Sequence, residues 1–147
     1  MTMAYSGKFK PKNPQKYVGD YNNIVYRSSW ECRFMHHFDV SDWCVSWASE
    51  ELIVPYISPV DNRCHRYFVD FVIKVRDKQG ELKTWMVEVK PKKQTKQPEI
   101  KKRITKQYIT EVTTWGVNQA KWKAAEEYCK DRGWKFVLLT EDHLPTV

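Results

Sequence analysis

The chain has 147 residues, 41% of them apolar and 29% charged, with seven Trp, eight Tyr and six Phe, a balance that builds one domain with its own core and excludes a disordered segment. No apolar run approaches the roughly 18 residues of a membrane helix, and Met1-Thr2-Met3-Ala4-Tyr5 lacks the apolar stretch of a signal peptide, so a cytoplasmic protein with no membrane partner is expected. The net charge is +7, and the segment from Lys90 to Lys106, with eight basic residues against the single acid Glu99, accounts for all of it.

Residues 1–27 mix Lys8, Lys10, Lys12, Lys16 and Arg27 with Pro11, Pro14 and five aromatic rings from Tyr5 to Tyr26, without a sustained period of 2 or 3.6. They read as an irregular, basic, aromatic N-terminal arm, ahead of a single domain over 28–147. A helix is predicted from Ser28 to about Asp39: Ser28 and Glu31 have capping-box spacing, and Trp30, Phe34 and Phe38 recur every four residues. Trp43 to Trp47 follows, then a strand over Glu51 to Tyr56 rich in branched residues. Arg66 to Arg76 is the longest strand-like stretch and Leu82 to Lys90 the next, joined by Asp77-Lys78-Gln79-Gly80-Glu81 as a hairpin. Ile100, Ile104 and Tyr108 predict a basic helix from about Pro98 to Val112, which Trp115-Gly116-Val117-Asn118 should break. A second helix is predicted from Asn118 to Arg132, stopped by Gly133, and a buried strand from Trp134 to Thr140. This order specifies an α/β fold, a mixed central β-sheet flanked by helices.

Cys32, Cys44, Cys64 and Cys129 are scattered, without the two-residue spacing of zinc or redox motifs, and read as reduced structural thiols. Cys32 with His36, and Cys64 beside His65, leave open a metal site assembled in three dimensions. The excess of seven charges over Lys90–Lys106 suits a polyanion, and a solvated lysine-rich helix face is the competing explanation.

The hairpin carries the chemistry. Strand alternation places Glu88 and Lys90 on one face of their strand. If Lys78-Gln79-Gly80 is a three-residue loop with glycine left-handed, Asp77 opposes Glu81, and counting back sets Asp70 opposite Glu88. Like charges so placed are destabilising unless something neutralises them, and both acids lie within apolar runs where burial is costly. A hard divalent cation, Mg²⁺ or Mn²⁺, needs one or two such carboxylates plus water and substrate phosphate. Lys90 would stand beside it, orienting or deprotonating water or bracing a phosphate. The competing reading is a Glu-x-Lys pair on a solvent-facing sheet, which leaves Asp70 unexplained.

Val69-Asp70 followed by Glu88-Val89-Lys90 resembles the PD-(D/E)XK nuclease superfamily, with Val in place of the named Pro. Adding Ala4-Tyr5-Ser6-Gly7-Lys8, Arg27-Ser28-Ser29-Trp30-Glu31, Arg66-Tyr67-Phe68, Pro91-Lys92-Lys93, Trp115-Gly116-Val117-Asn118, Lys121-Trp122-Lys123-Ala124-Ala125 and Leu139-Thr140-Glu141-Asp142, nearly the whole chain resembles the head completion nucleases of T4-like tailed bacteriophages. Transposon-end nuclease subunits are a more distant likeness. The resemblance implies a restriction-endonuclease-like core and a Mg²⁺-dependent endodeoxyribonuclease that processes or trims the packaged DNA end before tail joining. It implies metal ligation by Asp70, Glu88 and the Val89 carbonyl, with Glu31 as an additional acid, although Glu31 serves equally as a helix cap. Lys92, Lys93, Lys101, Lys102 and Arg103 are the expected phosphate contacts, the substrate being double-stranded or branched DNA. Expected partners are head or portal proteins, the locations the virion and the host cytoplasm, and the state a monomer or weak homodimer. The rival from another class is a virion protein that grips the DNA end or plugs the portal without cutting.

Overall fold

A computed structural model describes residues 6–145; residues 1–5 of the expected arm, with Tyr5, and residues 146–147 lie outside the described residues. The elements in chain order are β1 (Gly7–Phe9), β2 (Ile24–Tyr26), α1 (Ser29–Val40), β3 (Cys44–Ser49), β4 (Ile53–Ile57), β5 (Cys64–Phe68), β6 (Phe71–Arg76), β7 (Leu82–Val89), α2 (Lys106–Arg132) and β8 (Lys135–Leu139). The central sheet has the order β3-β6-β7-β8, antiparallel except for the β7–β8 pair, which α2 connects as a crossover. β4 and β5 form a separate antiparallel pair, as do β1 and β2.

One face of the central sheet buries Trp47, Phe71, Ile73 and Val87 against Phe34, Met35 and Phe38 of α1. The other buries Met86 against Ala125 and Cys129 of α2, together with Val54 and Tyr67 of the β4–β5 pair. The sheet is thus covered on both sides, as the mixed pattern predicts.

α1 begins where its capping residues place it, the Ser28 hydroxyl accepting from the Glu31 amide at 3.1 Å. The N-terminal segment is more ordered than an irregular arm. Fully buried Asp39 accepts from the backbone amides of Lys12 and Asn13 at 2.8 and 3.1 Å, while Tyr17 packs edge-on to Trp47 and is buried with Ile24 in the core. Those amide bonds to a charged acceptor hold the segment to the end of α1.

Two expected elements are corrected. The stretch from Arg66 to Arg76 is two strands in different sheets, because Val69 donates to Leu52 on the β4 side while the next carbonyl, that of Asp70, accepts from Glu50 on the β3 side. The alternation runs through this seam and hides it. The region from Pro98 to Thr105 is not helical, and Trp115-Gly116-Val117-Asn118 does not break a helix: α2 runs unbroken over 27 residues. Ile100 and Ile104 are exposed and have no face to bury, so their spacing organises nothing. Thr105 instead starts the helix, accepting from the Tyr108 amide at 3.1 Å. A single interior glycine costs a helix only about 1 kcal/mol, less than the buried Asn118, Trp122, Ala125 and Cys129 return by packing. Gly133 ends α2 at φ 70°, as predicted.

A Cβ on Gly116 would meet only Pro59 at 3.8 Å, an ordinary contact. Gly116→Ala is therefore expected to raise stability by about 0.5–1 kcal/mol in urea denaturation. A neutral or negative change would argue for a chain break at this position.

Candidate active site

The three-residue loop is formed, with the Asp77 amide donating to the Glu81 carbonyl at 2.9 Å and Gly80 at φ 83°. Phe71 pairs with Val87, so Asp70 stands one position further along, facing Glu88 just beyond the ladder. Asp70 sits at the seam where the two sheets diverge.

Each carboxylate is held. Asp70 Oδ2 accepts from the Val89 amide at 2.8 Å, and Glu88 Oε2, on a residue only 3% exposed, accepts from the Trp122 indole N–H at 3.3 Å. Lys90 Nζ lies 4.0 Å from the same Glu88 oxygen, while its backbone amide donates to Leu139 and extends the pairing with β8. Asp70 keeps some exposed surface, yet its carboxyl is densely surrounded by protein. Burial first, then the facing Glu88, with a smaller part from Glu31, pushes its proton affinity well above the usual carboxylate range, against the lowering effect of the Val89 amide. The Tyr67 hydroxyl is buried beside both acids without a hydrogen bond of good geometry, and burial with their charges pushes its ionisation far up.

Glu31 is at the edge of this group. Its Oε1 accepts from the Arg27 amide at 3.2 Å, one residue before the cap, and burial raises its proton affinity. The capping role is therefore present, and Glu31 is near enough for its charge to act on Asp70. Among the described residues no three His, Cys, Asp or Glu side chains assemble as a metal-ligand group. The same finding leaves Cys32 with His36, and Cys64 with His65, unassembled; His65 instead pairs with Asp61 at 2.8 Å.

Sequence reasoning missed four contributors. Trp122, buried in the core, also orients Glu88. Tyr67 supplies the orphan hydroxyl. Arg27 and Glu50 form a two-pronged ion pair at 3.0 and 3.1 Å, although Glu50 adopts φ 54°, a left-handed conformation that costs a non-glycine residue of order 1 kcal/mol or more. The Glu50 amide donates to the Asp70 carbonyl at 3.1 Å, so the strained turn ends on the candidate acid. Arg27-Ser28-Ser29-Trp30-Glu31 signalled one half of this pair; nothing local signals Glu50.

Lys93, Lys101, Lys102 and Arg103 are exposed on the stretch between β7 and α2. Lys92 is exposed too but ion-paired to Asp142 at 3.0 Å, with its amide on Glu141 at 2.6 Å, so it serves the loop before it serves a ligand.

Residues 41–141 match the family described as TnsA-like endonuclease N terminal, a span that includes Asp70, Glu88 and Lys90 and begins after Glu31. The chain is 42% identical over 146 residues to the "Head completion nuclease" of Enterobacteria phage T4, covering 97% of this chain and 95% of that relative.

In metal-free buffer, two facing acids destabilise the fold. Because folding raises the proton affinity of Asp70, its penalty is absent below the ordinary carboxylate value of about 4 and grows as pH rises above it. Asp70→Asn keeps an oxygen for the Val89 amide and removes that charge, so thermal unfolding near pH 7 with chelator is expected to shift upward by about 3–6 °C, with little shift near pH 3.5. A lower Tm at neutral pH would mean that the pair is already neutralised within the protein.

Proposed function

The chain belongs to the TnsA-like endonuclease family, and from that membership we propose that it is a divalent-metal-dependent DNA endonuclease that acts late in phage head completion, processing the packaged DNA end before tail joining. The observation that carries this reading is the pair Asp70 and Glu88, facing each other in protein with Lys90 beside them. We read β6, β7 and the flanking helices as a PD-(D/E)XK core, with the seam at Asp70 as its mouth.

The donor set fits a Mg²⁺-class ion: two carboxylates, no soft ligand within the group, and a buried hydroxyl left without a good partner. Asp70, Glu88 and the Val89 carbonyl would hold it, and Mn²⁺ would substitute. When bound, such an ion acidifies water and withdraws charge from the phosphate. The residues of the chain do the rest. The Val89 amide and Trp122 indole fix one oxygen of each acid, which leaves the remaining oxygens directed by geometry already set before substrate arrives. Lys90, its Nζ 4.0 Å from Glu88, orients the attacking water, takes its proton when present as the neutral amine, or as the ammonium braces the phosphate as charge develops. Lys93, Lys101, Lys102 and Arg103 bind backbone phosphates without reading sequence, the DNA being double-stranded or branched. Head or portal proteins would bring the enzyme to the DNA end.

Supercoiled plasmid and branched DNA incubated with Mg²⁺ test the proposal. Wild type should nick, Asp70→Asn should fall to background, and Lys90→Ala should lose roughly 10²- to 10⁴-fold. Glu31→Gln separates the two roles of that acid: a cap alone costs about 1 kcal/mol of stability and spares nicking, while a ligand loses the reaction. Equal nicking by wild type, Asp70→Asn and Lys90→Ala, or none by wild type, would overturn the enzymatic reading. An uncut complex whose affinity falls steeply with salt would then favour a protein that holds the DNA end.

A further inference from the structure

A cleft of about 1250 Å³ lies between the basic segment that follows β7 and the first half of α2. Its walls include Trp30 of α1 and Trp115 of α2, both half-buried, and Asn118. Asn118 is 4% exposed, its side chain hydrogen-bonds to no other described residue, and the little surface its amide keeps opens on the cleft. An amide so placed keeps its donor and acceptor free for a ligand in the cleft. Trp115, Asn118 and Trp122 fall on one stripe of α2 at spacings of three and four, and Trp122 reaches Glu88. Along the helix axis Asn118 is thus one turn, about 6 Å, from Trp122, whose indole orients the candidate acid. Trp30 adjoins Glu31 on the opposite wall.

The charge pattern narrows the ligand. Lys93, Lys96 and Lys101 line the cleft against Glu99, Glu111 and Glu141, so the lining is balanced and suits a neutral group. Outside it Lys102, Arg103 and Lys106 are exposed and unopposed along the same segment. A neutral, flat ring with a hydrogen-bonding edge, attached to a polyanion, meets all of these conditions.

We propose that the cleft is a nucleobase site, which takes an unpaired base of the DNA strand being cut, with the indoles offering stacking surface and Asn118 bonding the base edge. The base must be unpaired, because in a duplex its faces are stacked and its pairing edge is occupied. The site rests on the reading that this protein acts on DNA. It gives the enzyme a reason to choose strand ends, flaps or junctions over continuous duplex.

Anisotropy of labelled DNA in chelator, where no strand is cut, tests the site. The probes are a duplex with a short single-stranded overhang, the same duplex with abasic residues in the overhang, and the blunt duplex. Wild type is expected to bind the base-bearing overhang about tenfold more tightly than the abasic one, although their phosphates are the same. Trp115→Ala and Asn118→Ala should each erase that preference, and Trp115→Phe, which keeps a ring and guards against misfolding, should retain most of it. Equal binding of the two overhangs by wild type overturns the proposal, as does a preference that survives both alanine variants. Plasmid nicking in Mg²⁺ reports the nuclease reading separately: wild type that discriminates between overhangs but never nicks keeps the base site and loses the enzyme.

Discussion

Two carboxylates facing each other at the end of a β-hairpin govern the rest of this molecule. Asp70 and Glu88 repel in a setting that strips away much of their water, and the surrounding fold concentrates its donors on them: the Val89 amide, the Trp122 indole and the Lys90 ammonium all point at the pair. None of these neutralises both charges. An N–H bond lowers the cost of one oxygen, and an ammonium at 4.0 Å screens one acid from one side. On the proposed function, the strain of this pair in the free protein is the free energy that would favour capture of a small, hard cation.

The seam between the sheets explains how the pair can exist. Were β5 and β6 one continuous strand, Asp70 would lie inside a ladder with neighbours on both sides. Instead the chain changes sheets at Val69 and Asp70, and the cost is met by Glu50 in a left-handed conformation, its amide on the Asp70 carbonyl and its carboxylate clasped by Arg27. Arg27 in turn gives its own amide to Glu31. Three non-local segments converge through this chain of bonds, so the orientation of Asp70 depends on residues around the start of α1 and just after β3.

The legible features of the fold are those written within a few residues. The loop chemistry of Asp77 to Glu81 predicts the register that places Asp70 against Glu88, Ser28 and Glu31 predict the start of α1, and Gly133 predicts the end of α2. What escaped depends on distant partners. The apolar alternation through Tyr67 to Ile73 cannot report that two different sheets share it. Ile100 and Ile104 have helical spacing but no surface to bury against, and Gly116 is tolerated because buried side chains further along α2 bind the helix to the sheet. The Arg27–Glu50 pair joins residues 23 positions apart, and nothing local signals its Glu50 half.

The unbroken course of α2 has a consequence for the site that two shorter helices would not produce. A break at Trp115 to Asn118 would uncouple the first half of α2 from Trp122 and free the cleft to move relative to Glu88. As one rigid helix, α2 carries Trp115, Asn118 and Trp122 along a single stripe, so whatever occupies the cleft is held at a set distance from the acid that Trp122 orients. The charge distribution continues that geometry on the other side: the basic segment leaves the sheet at Lys90 itself and returns to α2 at Lys106, forming one wall of the cleft. On the proposed reading, the acid pair and the cleft are linked through Trp122, and the long helix is what keeps the two in register.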